Sequence, residues 1–133
     1  MKVVVMPSTT KPGKQRKAIY QAPAHRLRKL LTAPLSEELR TSQGRRSYPV
    51  RKGDTVKILR GDFAGVEGKV TEINMRSQRL FVEGVQREKT SGTSANVSVN
   101  SSKVVITKLN LDDKWRSESI KLSEPKSAAG EGA

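Results

Sequence analysis

The sequence predicts a mainly β fold: one small β-domain, preceded by a basic arm with short helices and followed by a flexible tail. Three observations carry this. Alternating β-branched runs broken by glycines fill the middle of the chain, apolar stripes at helical spacing are confined to its first third, and its end is polar. With 133 residues, 34% of them hydrophobic and 4% aromatic, there is material for one small core and extensions, not for two cores. The expected divisions are a disordered lead over residues 1–13, a basic arm with two short helices over 14–49, the β-domain over 50–110, and an extension with tail over 111–133.

The lead is polar and carries Pro7, Pro12 and Gly13. Its first residues, Met1–Met6, imitate the start of a signal peptide, but Pro7 ends them well short of the roughly 7–15 apolar residues such a segment needs. In the arm, Pro23 suits a first helical turn, and Leu27, Leu30 and Leu31 fall at i, i+3 and i+4, which predicts a short helix stopped by Pro34. Ser36 followed by Glu37 and Glu38 marks the start of a second helix that ends near Gly44. Residues 44–50 then read as a basic linker. Helices this short are marginal alone in water, so they need a surface to pack on.

From Arg51 to Arg76 the pattern is strand, tight glycine turn, strand. Val56 and Ile58 alternate with Thr55, Lys57 and Leu59, the period of a strand with one buried face. Gly61, Gly65 and Gly68 break the run where the backbone must turn, and Val70 and Ile73, three apart rather than two, predict a bulge. Met75–Gln78 reads as a turn and Arg79–Val85 as a third strand. Gln86–Asn96 reads as a polar connection with its tip at Lys89–Gly92, Val97–Val99 as a short strand, and Lys103–Leu109 as the last one. Leu111–Leu122 predicts a loose helix carrying Trp115, and SEPKSAAGEGA a disordered tail.

Charge points to the partner. The 26 Lys and Arg against 13 Asp and Glu leave a net +13, and nucleic acid is the usual partner of a chain so basic. Residues 1–50 hold eleven basic and two acidic side chains, residues 51–90 nine and six, and residues 91–133 six and five, so the attraction is concentrated in the arm. The candidate RNA-binding residues of the arm are Lys14, Arg16, Lys17, Arg26, Arg28, Lys29, Arg45 and Arg46, interleaved with Tyr20 and Tyr48, whose rings could stack on an unpaired base. In the β-domain they are Arg51, Lys52, Arg60 and Lys69, beside glycines that let a phosphate backbone approach.

Catalysis finds little support. The only histidine, His25, lies in a basic run without a carboxylate nearby in sequence. Gly65–Lys69 superficially looks like a phosphate loop, but Phe63 stands where that loop needs glycine and Val70 where it needs Ser or Thr. No cysteine is present, so disulfides and thiolate metal sites are excluded. No cofactor or metal is expected. No apolar run approaches the roughly 18 residues of a spanning helix, and the chain reads as cytoplasmic, without membrane insertion.

Gly53-Asp54-x-Val56, Arg60-Gly61 and Gly65-Val66-Glu67-Gly68-Lys69-Val70 resemble a KOW motif. This motif forms part of small SH3-like β-barrels in ribosomal proteins and transcription elongation factors. In it Gly53, Asp54, Gly61, Gly65 and Gly68 would form the motif turns. KQRKAIYQAP at Lys14–Pro23, LLTAPLSEELR at Leu30–Arg40, YPVRKGDTVKILRG at Tyr48–Gly61, VEGV at Val82–Val85, EKTSG at Glu88–Gly92 and NSSKVVITKLNL at Asn100–Leu111 extend the likeness. Together they resemble the archaeal and eukaryotic branch of the ribosomal large-subunit protein twenty-four family, over about Lys14 to Trp115. Met1–Gly13 is longer than that pattern, and Gly92–Ser102 lacks its proline-containing stretch.

The resemblance implies a non-enzymatic protein of the large ribosomal subunit. Such a protein binds large-subunit rRNA near its 5′ end, acts early in assembly and sits close to the polypeptide exit tunnel. Its implied partners are rRNA, neighbouring large-subunit proteins and exit-tunnel factors. A KOW-domain transcription elongation factor or another RNA-binding module is the alternative, but such factors couple the barrel to a larger α/β domain, for which residues 1–50 are too few and too basic. A peptide-binding barrel would need an aromatic-lined groove, and two Phe and two Tyr make a poor one.

Overall fold

A computed structural model describes residues 9–123. Most of the expected lead, and the tail beyond Ser123, lie outside the described residues.

The arm is more structured than its sequence pattern implies. Helix α1 spans Pro12–Gln21, with proline in its first turn, but buries no residue. It is held instead at its end, where Arg76 Nη1 donates to the Tyr20 carbonyl at 3.2 Å. Helix α2, Ala24–Leu30, follows Pro23 and turns Leu27 inward; Leu31, just past its end, is also buried. Helix α3, Glu37–Gln43, starts after Ser36 and ends at Gly44 in the left-handed conformation at φ 64°, as the cap pattern predicts.

Two three-residue strands flank α3, and neither was expected. Strand β1, Thr32–Pro34, pairs antiparallel with β2, Ser47–Pro49, placing buried Ala33 opposite buried Tyr48. The expected linker over 44–50 is therefore partly a strand. Three residues are too few to show a period of two, and the prolines Pro34 and Pro49 disguise a ribbon that has no central strand to interrupt.

The main sheet has five antiparallel strands: β3 Thr55–Ile58, β4 Glu67–Asn74, β5 Arg79–Glu88, β6 Ser94–Asn100 and β7 Val104–Lys108, in the order β6-β5-β4-β3-β7. Val56 and Ile58 point into the core, whereas Leu59 is exposed. The bulge foreseen between Val70 and Ile73 is present as a register shift between Val70 and Glu72 against β5. Strands β5 and β6 run further than expected, pairing out to Glu88 with Ser94, so the polar connection shrinks to a tip with Gly92 at φ 86°.

The mainly β class is the one found, as a five-stranded antiparallel sheet; among the described residues no hydrogen-bonded barrel closes. Among the described residues β6 and β7 remain the sheet's two edges. Yet a single 3-10 turn, Ser101–Lys103, joins them. Five flat strands would set the edges about 19 Å apart at about 4.8 Å per neighbour, whereas a three-residue connection reaches at most about 14 Å. The sheet must curl, and it covers one core that includes Val56, Ile58, Val70, Leu80, Val104 and Ile106. The β1–β2 ribbon joins the β7 edge through Leu35, bridged parallel to Ile106, with Ser36 N donating to the Ile106 carbonyl at 2.9 Å. Helix α4, Lys114–Ser123, returns the chain to this core through buried Ile120.

Candidate nucleic-acid interface

On the arm, Lys14, Arg16, Lys17, Arg28, Lys29 and Arg46 are exposed, and Arg26 and Arg45 are half-buried. Tyr20 is 79% exposed, its ring free to meet a base. Lys14, Lys17 and Arg26 line a cleft of about 470 Å³ between α1 and α2, with Ala18, Ala22 and Pro23 among its lining residues. Cations around a small apolar floor suit a phosphate–ribose backbone, whose sugar faces are less polar than its phosphates.

The turn entering β3 brings the β-domain's own cations to the arm. Arg51 and Lys52 meet Arg28 of α2 in a second cleft of about 360 Å³ over Leu31, Val50, Ile73 and Met75. Gly53 takes φ 93° here, a conformation that favours glycine. Asp54 is fully buried and closes the turn. Its Oδ2 accepts from Arg51 N at 2.9 Å, and its Oδ1 from Asn110 N at 2.9 Å.

Helix α4 is anchored to the same turn. Arg116 donates to the Asn110 carbonyl at 3.0 Å and the Pro49 carbonyl at 3.2 Å, and pairs in parallel with both oxygens of Asp54. Asp113 caps the helix, its Oδ1 accepting from Trp115 N at 3.1 Å, while its Oδ2 pairs with Arg51 Nη1. The Arg51 guanidinium, hydrogen-bonded to it, holds the Asp113 carboxyl below its usual 3.8.

The remaining candidates lie elsewhere. Arg60 shares a cleft of about 310 Å³ with Arg87 and Lys103 at the far end of β3, where Gly61 and Gly65 turn at φ 95° and 89°. Arg87 also pairs with Asp62 at 3.2 Å on the surface. Lys69 faces Thr55, which on its other side neighbours Lys108, so the two lysines line one groove across three strands. The structure therefore gathers Lys14, Lys17 and Arg26 in one place and Arg28, Arg51 and Lys52 in another. Arg60 and Lys69 belong to neither cleft.

Three sequence expectations need correction. Tyr48 is 4% exposed, packed inside with Arg45 and Arg116 over its ring at 5.4 and 5.1 Å, so no base can reach it to stack. The signal for this was absent, because a tyrosine between basic residues and Pro49 reads equally well as an exposed platform. Gly68 is not a turn glycine. It sits in β4 opposite Val56, where a Cβ would come within 2.6 Å of the Glu83 carbonyl oxygen. Asp54 is not merely a turn residue but the buried partner of Arg116, a cation that polar Asp112–Glu118 disguises as solvated.

Arg76, Arg87, Lys103 and Lys108 also join the basic surface without having been singled out. Among the described residues no group of three or more His, Cys, Asp or Glu could hold a metal ion, and no helix is long and apolar enough to cross a membrane.

Comparison with known proteins adds the lineage of this arrangement. Residues 9–123 match the family described as ribosomal proteins L26 of eukaryotes and their L24 counterparts of archaea. The chain is 50% identical over 106 residues to the large ribosomal subunit protein uL24 of Korarchaeum cryptofilum, covering 80% of this chain and 81% of that one. It is 46% identical over 114 residues to the uL24 of Saccharolobus solfataricus, covering 86% and 96% of the two chains. With the uL24 of Sulfolobus acidocaldarius it shares 46% identity over 112 residues, 84% of each chain.

Proposed function

The chain belongs to this eukaryotic and archaeal family of ribosomal proteins, and on that premise we propose that it is a structural constituent of the large ribosomal subunit that works by binding rRNA. Its role is not enzymatic. Its place of action is the ribosome, in the cytoplasm.

The observation that carries the rRNA reading is the meeting of Arg28 with Arg51 and Lys52 in one cleft, with Lys14, Lys17 and Arg26 lining a second. Two separate parts of the sequence supply cations to one apolar-floored groove, a geometry suited to a folded RNA backbone. The curled sheet supplies rigidity, and the arm supplies most of the positive charge. Each phosphate neutralised releases counterions, so affinity falls steeply with salt. Shape and backbone, rather than base edges, select the site, and Tyr20 adds stacking on an unpaired base.

Family resemblance supports the finer placement: contact near the 5′ end of the large-subunit rRNA, action early in subunit assembly, and a position near the polypeptide exit tunnel. Neighbouring large-subunit proteins and exit-tunnel factors are the partners this placement implies.

The test is a high-salt sucrose gradient of native cell extract, each fraction probed for this chain. Comigration with the large subunit at salt that strips loosely bound factors is the expected result. Recovery of the chain free, or with RNA polymerase, overturns the assignment and favours a transcription factor.

A further inference from the structure

We propose that Asp113 is a specificity-determining residue for RNA, because its carboxylate pairs with one side of the guanidinium of Arg51, a residue that lines the Arg28–Arg51–Lys52 cleft. This inference rests on the rRNA-binding reading.

Asp113 has two effects on an incoming phosphate, and they differ in reach. Its charge opposes every polyanion that approaches Arg51, whatever its shape, because Coulomb repulsion makes no demand on geometry. Its hydrogen bond also restricts the directions the guanidinium can take. Arginine presents five N–H donors in a rigid fork, and Asp113 engages Nη1 alone, leaving Nε and Nη2 aimed by the pairing. Only an RNA whose phosphate arrives at that position benefits from the aim. A loosely held polyanion suffers the repulsion without that gain. The carboxylate thus raises discrimination while lowering general stickiness, which matters in a chain of net charge +13.

The carboxylate is itself held in place. Asp113 is the N-cap of α4, and that helix is locked to the Arg51–Asp54 turn by the buried Arg116–Asp54 pair. Asp113 therefore cannot swing aside without losing the Trp115 N–H bond.

The experiment measures affinity of the full chain for a transcript of the large-subunit rRNA 5′ region and for poly(U), across a salt series, with Asp113→Asn and Arg51→Gln singly and together. Asparagine is an equally good N-cap, so α4 keeps its start. The expected result is that D113N tightens poly(U) binding by up to about fivefold, the upper end for one surface charge pair, while the transcript gains less or loses, so the preference ratio falls. In the R51Q background, D113N should no longer alter that ratio. An equal change for both RNAs, or a ratio that shifts just as much without Arg51, overturns the inference while leaving the rRNA reading intact. Absence of any preference for the transcript in the unsubstituted chain overturns both.

Discussion

The Arg116 guanidinium and the Asp54 carboxylate, 62 positions apart in the chain, meet through two hydrogen bonds of 2.6 and 2.7 Å. Arg116 is 3% exposed and Asp54 0%. The pair ties the C-terminal helix to the turn that carries Arg51 and Lys52. Asp54 also accepts two backbone N–H groups, so its charge is met from several directions at once. Such a pair is costly to break from one side, because the remaining charge stays buried without a partner.

Arg116→Met should accordingly destabilise the fold by about 3–5 kcal/mol, as removal of one member of a buried pair does. Adding Asp54→Asn to that variant should recover part of the loss. Urea unfolding of the unsubstituted chain and the two variants checks this; a double variant no more stable than Arg116→Met would show that the stranded carboxylate is not the cause.

Gly68→Ala and Gly61→Ala should separate close approach from backbone conformation. At Gly68 the added methyl meets the Glu83 carbonyl oxygen at 2.6 Å, a backbone atom that cannot give way alone. The expected cost is about 1–3 kcal/mol, typical of overpacking. At Gly61 the space is open and only φ 95° resists, so about 1–2 kcal/mol is expected. Midpoints of denaturant unfolding give both values.

The two tyrosines of the arm should behave oppositely. Tyr48→Ala empties a core position and should cost about 3–5 kcal/mol of stability. Tyr20→Ala, at an exposed ring, should leave stability unchanged and weaken RNA binding by about 1–3 kcal/mol, the worth of one stacked base. Thermal melts and filter binding on the same preparations distinguish them.

Replacing Arg26, Arg28 and Lys29 together by Gln should weaken RNA binding and flatten its salt dependence. Each lost phosphate contact removes about 0.7–0.9 from the slope of log K against log salt. Titrations at four salt concentrations check it, and an unchanged slope would remove these residues from the interface.

The Asp113–Arg51 pair makes a directional pH prediction. The Asp113 pKa is lowered below 3.8 by the Arg51 hydrogen bond, so the folded state prefers the ionised carboxylate. Its contribution is fully present above the unfolded value and is lost as pH falls through the lower folded one. The gap in melting temperature between the unsubstituted chain and Asp113→Asn should hold steady from pH 7 to about 5 and close below about 4. Calorimetry across that range measures it.

Legibility followed the range of the interactions. Val56 and Ile58, Gly44 and the Val70–Ile73 irregularity were readable because period, cap and bulge are written within a few adjacent residues. Strands β1 and β2 were not, since each is three residues long and owes its existence to the other. The basic surface was readable as a sum of charge. Its division into clefts was not, because Arg28 and Arg51 are brought together by α2 and the β3 turn packing on shared apolar residues.

By itself the sequence determined a mainly β domain with a basic arm, an RNA-type charge, and membership of a ribosomal family whose motifs are local and linear. Tertiary structure alone decided which tyrosine faces solvent, that Asp54 and Arg116 lie inside, and that α4 braces the Arg51 turn. The physical reason is that burial and ion pairing depend on which distant surfaces meet. A polar residue beside other polar residues carries no local mark of a partner elsewhere in the chain.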